Sequence, residues 1–93
     1  MKVAIKKDFL VRNVAGENVL IGCGEQINFS RMLMLNDTAA RIVEMLQNGS
    51  AATDEELARQ ISEEYEVGYD EAFGDVGDVL AALEEQGVVV LDK

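Results

Sequence analysis

Hydrophobic and polar positions change their rhythm once along the chain. Up to residue 35 the apolar residues come in short extended groups: Val3 and Ile5, then Phe9-Leu10-Val11, Val19-Leu20-Ile21 and Met32-Leu33-Met34-Leu35. Val3 and Ile5 alternate with polar neighbours, as an edge strand or a loosely ordered tail would. Phe9 to Val14 predicts a strand, Ala15-Gly16-Glu17-Asn18 a turn, and Val19 to Gly22 the return strand of a hairpin. Gly22 and Gly24 loosen the chain before Ile27-Asn28-Phe29-Ser30 leads to a third strand, Met32–Leu35. That run is apolar at every position and too short for a helix, which predicts a strand buried on both faces.

From Asn36 onward the period is helical. Asn36 or Asp37 can accept a hydrogen bond from the free N–H groups of a first turn. Ala39, Ile42, Val43 and Leu46 then form one stripe, and Asn48-Gly49 predicts a left-handed stop. Thr53-Asp54-Glu55-Glu56 has the spacing of a capping box. It opens a second helix to about Tyr65, with Leu57, Ile61 and Tyr65 as its buried side. A third helix is predicted from Tyr69 or Asp70 to about Gln86, with Tyr69, Phe73, Val76, Leu80 and Leu83 inward and Gly87 as its cap. Val88-Val89-Val90-Leu91 closes the chain as a short buried strand or an extended tail. Strands followed by helices predict an α+β domain. A hairpin beside three helices is a winged helix-turn-helix-like arrangement. With no linker in its 93 residues, the chain reads as one domain, 1–93.

Composition narrows the chemistry. There is no histidine, the commonest general base and metal ligand. The one cysteine, Cys23, allows no internal disulfide and no cysteine-built zinc site; it reads as a small turn or strand residue. Gly22-Cys23-Gly24 lacks the third glycine and following helix of a dinucleotide loop, and the acids between Asp70 and Asp78 do not have calcium-loop spacing. No catalytic residue, metal site or cofactor is predicted, and the expectation is that the chain is not an enzyme. The charged N-terminal segment is unlike a secretory signal, and no apolar run approaches the roughly 20 residues of a membrane span. A soluble cytoplasmic protein without a membrane partner is expected.

Net charge is −10, from 18 acidic against 8 basic residues, and it is unevenly spread. From Gln60 to Asp92 there are ten acids and no Lys or Arg. The third helix carries Asp70, Glu71, Asp75, Asp78, Glu84 and Glu85. A DNA-reading winged helix needs the opposite sign there, so no nucleic-acid partner is expected. Size and acidity also fit an acyl carrier, the other alternative beside a winged-helix regulator. A carrier, however, needs a serine opening its second helix; Ser50 lies in the loop before it and Ser62 late within it.

Several of these positions in order resemble the coenzyme PQQ synthesis protein D family, the recognition domains that serve ribosomally made, modified peptides. The resemblance covers roughly Phe9 to Leu91. It is carried by Leu35-Asn36-Asp37-Thr38-Ala39, Ile42, Leu46, Gly49, Thr53-Asp54-Glu55-Glu56-Leu57, Glu64-Tyr65, Asp75-Val76, Leu80, Leu83 and Gly87-Val88. Gly74 and Gly77 depart from it, since a helix former is usual at both. The resemblance implies a non-catalytic domain that binds the leader of a precursor peptide and presents it to a modifying enzyme, often a radical S-adenosylmethionine enzyme, as in PQQ biosynthesis. It implies that the leader adds as a strand to Met32, Leu33, Met34 and Leu35 and lies against helix residues within Asp70–Ala81.

The residues have their own reasons for this placement. No charge or proline blunts the third strand's edge apart from Arg31 before it, and Met32 and Met34 could line one face adaptably or simply belong to the core. Asp70, Gly74, Gly77 and Ala81 fall on one line of the helix beside Phe73. That smooth strip could admit a peptide backbone, or the glycines could merely be tolerated. The acids could favour a leader carrying Lys or Arg, or form an ordinary solvated face. Two copies could also pair weakly through the same strand edge.

Overall fold

The computed structural model describes residues 1–7, 9–22 and 32–92. Cys23, Gly24, the extended segment predicted near Ile27–Ser30, and Arg31 lie outside the described residues. The order is β1 (Lys2–Ile5), β2 (Phe9–Val14), β3 (Glu17–Gly22), β4 (Met32–Leu35), α1 (Asp37–Asn48), α2 (Asp54–Tyr65), α3 (Tyr69–Glu85) and β5 (Val89–Asp92). This is an α+β domain. Among the described residues no helix is long and apolar enough to cross a membrane.

The strands form two sheets rather than one. β2, β3 and β4 make an antiparallel meander, with Val11 opposite Leu20 and Leu20 opposite Leu33. β1 instead pairs with β5, Val3 opposite Leu91, so the two ends of the chain close on each other. The outer side of β1 is also held, because the Val3 amide donates to the Ala52 carbonyl at 2.8 Å. The hairpin turn is tighter than predicted. Glu17 and Asn18 already belong to β3, and only Ala15 and Gly16 cross over, at φ 53° and 84°. Two consecutive positive φ values match the right-handed twist of the flanking strands.

α1 and α2 both start on a side-chain cap, and α1 also stops on a glycine. Asn36 is the cap of α1, its Oδ1 accepting from the Ala39 amide at 2.8 Å, and Gly49 ends that helix at φ 79°. Thr53 Oγ1 accepts from the Glu56 amide at 3.1 Å. The Glu56 carboxylate returns to the Ala52 amide and the Thr53 hydroxyl, one residue beyond the Thr53 amide that the standard reciprocal bond uses. α3 is continuous through Gly74 and Gly77.

The core joins Leu20 of the sheet, Ile42, Val43 and Met45 of α1, Leu57 of α2, Val76 and Leu80 of α3, and Val88, each at most 1% exposed. Two sequence expectations fail here. Tyr65, Tyr69 and Phe73 are 40–43% exposed rather than buried. The inward stripe of α3 is Ala72, Val76, Leu80 and Leu83; Val76, Leu80 and Leu83 face inward as expected, and a small turn of the helix puts Ala72 rather than Phe73 beside them. The rings of Tyr69 and Phe73 instead meet each other on the surface, 5.9 Å apart. Nor is β4 buried on both faces. Leu33 and Leu35 pack against the core, whereas Met34 points out and is 63% exposed.

Candidate functional site

β4 ends the three-stranded sheet, and among the described residues its outer side has no strand partner. An unpaired strand offers its N–H and C=O groups to any extended chain that can reach them. Alternation puts Leu33 and Leu35 into the core and leaves Met34 on the open face. The strand passes directly into the Asn36 cap, so its end is rigidly tied to α1. Asn18 Nδ2 adds a bond from β3 to Asp37 Oδ1 at 2.9 Å.

α3 runs beside this edge. A cleft of about 270 Å³ is lined by Met34, Leu35, Asn36 and Ala39 on one side and by Asp78, Val79, Ala82 and Leu83 on the other. A second depression, about 330 Å³, continues it past Asn36 and Thr38 along Asp75, Asp78 and Val79. Asn36, Asp78 and Val79 belong to both, so the two form one groove, apolar toward Met34 and acidic toward Asp75. Neither Asp75 nor Asp78 has an ion pair among the described residues.

The site residues expected from sequence divide in two. Met34 and Leu35 line the groove, Leu33 supports it from the core side, and Met32 begins the strand. Asp70, Phe73, Gly74, Gly77 and Ala81 are exposed but none lines the groove. Gly74 and Gly77 face open space, with nothing within 4 Å of an added Cβ. The α3 residues that line the groove are Asp75, Asp78, Val79, Ala82 and Leu83. Helical spacing already sets Asp75, Asp78, Val79 and Ala82 on one strip. The missing signal was which flank of the buried stripe turns toward β4.

Two other depressions lie elsewhere, one over Val3, Ala52 and Val90 and one beside Lys6, Lys7 and Leu10. The first adjoins an edge already occupied by the Ala52 carbonyl. Among the described residues no group of three or more His, Cys, Asp or Glu side chains is placed to hold a metal.

An open strand edge facing a partly apolar helix groove defines a docking domain, built to receive an extended chain. The comparison with known proteins is more specific: residues 17–89 match the coenzyme PQQ synthesis protein D (PqqD) family, and the chain belongs to it. Among solved structures, a lasso peptide synthetase B1 complexed with the leader peptide is 26% identical, with TM-score 0.73 over 98% of this chain and 100% of that one. TbiB1 in complex with the TbiA(beta) leader peptide is 23% identical, with TM-score 0.74 over 96% and 99%, and shows the shared fold. No curated protein sequence matches the chain.

Proposed function

We propose that this chain is a peptide-recognition domain that binds the leader of a ribosomally made precursor peptide and presents it to a modifying enzyme. The observation that carries this is the outer edge of β4, open beside the groove of α3. Strand addition supplies affinity through main-chain hydrogen bonds, and side-chain pockets supply selectivity. The similarity to a synthetase subunit complexed with a leader peptide supports the same reading.

The domain works without catalysis: its chemistry is alignment, holding one segment extended so that the downstream residues reach another protein's active site. Membership of the PqqD family makes a radical S-adenosylmethionine enzyme the candidate partner. The meander beside three helices is winged-helix-like, with the wing's last strand turned to peptide rather than nucleic acid. The acid-rich α3 favours this over a DNA-reading role.

Titrating the isotope-labelled chain with the precursor leader encoded beside its gene tests the proposal by NMR. Shifts are expected at Leu33, Met34, Leu35, Asp78, Val79 and Ala82, and not at Asp70, Phe73 or Gly74. Met34→Glu, at an exposed position, should keep the fold and weaken binding about tenfold by placing a charge on the apolar end. Saturating leader that leaves β4 unshifted rules the role out.

A further inference from the structure

The groove beside β4 is graded, and the grading specifies the peptide. Its apolar end is formed by Met34, Val79, Ala82 and Leu83. Its other end presents Asp75, with Asp78 at the junction of the two. These acids sit three apart in mid-helix, where like charges repel, and no cation relieves them among the described residues. They also lie too far from the helix start to gain from its positive end.

Direction follows from the sheet. β2, β3 and β4 are antiparallel throughout, and an antiparallel newcomer on β4 brings its N-terminal side to the end of β4 at Leu35 and Asn36. That end is the acidic one. From Asp78 to Ala82 the helix rises about 6 Å, which is about two residues of extended chain. Residues two apart on a strand point the same way. Given the peptide-binding role proposed above, we propose that the bound segment carries a Lys or Arg two residues ahead of the apolar side chain seated between Leu35 and Ala82, with the cation meeting Asp75 and Asp78.

The test is selection from a displayed library of random peptides about 10 residues long, a length sufficient to span the groove when extended. It is run on the full chain, on Asp75→Asn/Asp78→Asn, and on Glu63→Gln/Glu84→Gln. The last pair removes equal charge from surfaces outside the groove. The native chain should enrich Lys or Arg two places before an apolar residue. The groove variant should keep the apolar preference and lose the basic one; the control should keep both. A winning peptide, made synthetically, should bind the groove variant about fivefold more weakly at low salt, a loss that shrinks as salt screens the charges. Basic residues absent from that offset, or equally enriched on the groove variant, overturn the inference while leaving peptide binding intact. Failure of all three proteins to enrich any sequence overturns peptide binding itself.

Discussion

Ala15 holds a left-handed conformation at φ 53° in an exposed two-residue turn. For a residue with a Cβ that conformation costs about 1–2 kcal/mol, and asparagine tolerates it better. Ala15→Asn, creating the favoured Asn-Gly turn, should stabilise the fold by about 1 kcal/mol in urea denaturation; a neutral or negative change would mean the turn is not of this type. Arg41 poses a different question. Its Nε and Nη2 both bond Glu64, at 2.9 and 2.7 Å, joining α1 to the end of α2. The Arg41 hydrogen bonds hold the Glu64 carboxyl below its ordinary value of 4.5, with desolvation opposing them. A lowered folded value means the pair's stabilisation is complete above about pH 4.5 and is lost as pH falls through that lower value. Both side chains are over a third exposed, so solvent limits the effect to about 1 kcal/mol or less. Native protein should therefore exceed Glu64→Gln in stability at pH 7, and the gap should narrow as pH falls below about 4.5. A gap constant across that range would show that the ion pair contributes nothing.

At the scale of the element, α3 is the informative piece. It begins after Gly68 without a side-chain cap, and Val76, Leu80 and Leu83 are buried as their spacing predicts. The rotation about its axis is set differently. Tyr69 and Phe73 have the bulk of core residues, yet Ala72 is buried in their place and the rings lie outside. One consequence is that Gly74 and Gly77 lie away from the groove with open space around them. Each glycine in a helix interior costs about 1 kcal/mol relative to alanine. Gly77→Ala should thus raise the melting temperature and leave affinity for the leader unchanged. Weakened binding would restore the glycine strip as a contact surface. α2 shows the converse case: it stops at Glu66, in the left-handed region at φ 54°, without the glycine that marks such an end elsewhere.

For the molecule as a whole, charge and topology answer different questions. An excess of ten negative charges, concentrated after Gln60, turns the C-terminal part away from phosphate and toward cationic segments. That much is a property of composition. The sequence by itself also determined where helices and strands begin, because caps, turns and period act within a few residues of one another: Asn36, Gly49 and Thr53 each do in the fold what their chemistry requires. It determined the open apolar strand at Met32–Leu35 and the family, through the order of those same local signals. Tertiary structure alone decided the pairing of β1 with β5, some 85 residues apart, since extended segments carry no local mark of their distant partner. It also decided which side of α3 faces β4. A buried stripe has two flanks that periodicity treats alike, and only the packing of the helix against the sheet makes Asp75, Asp78, Val79 and Ala82, rather than Gly74 and Gly77, the wall of the groove.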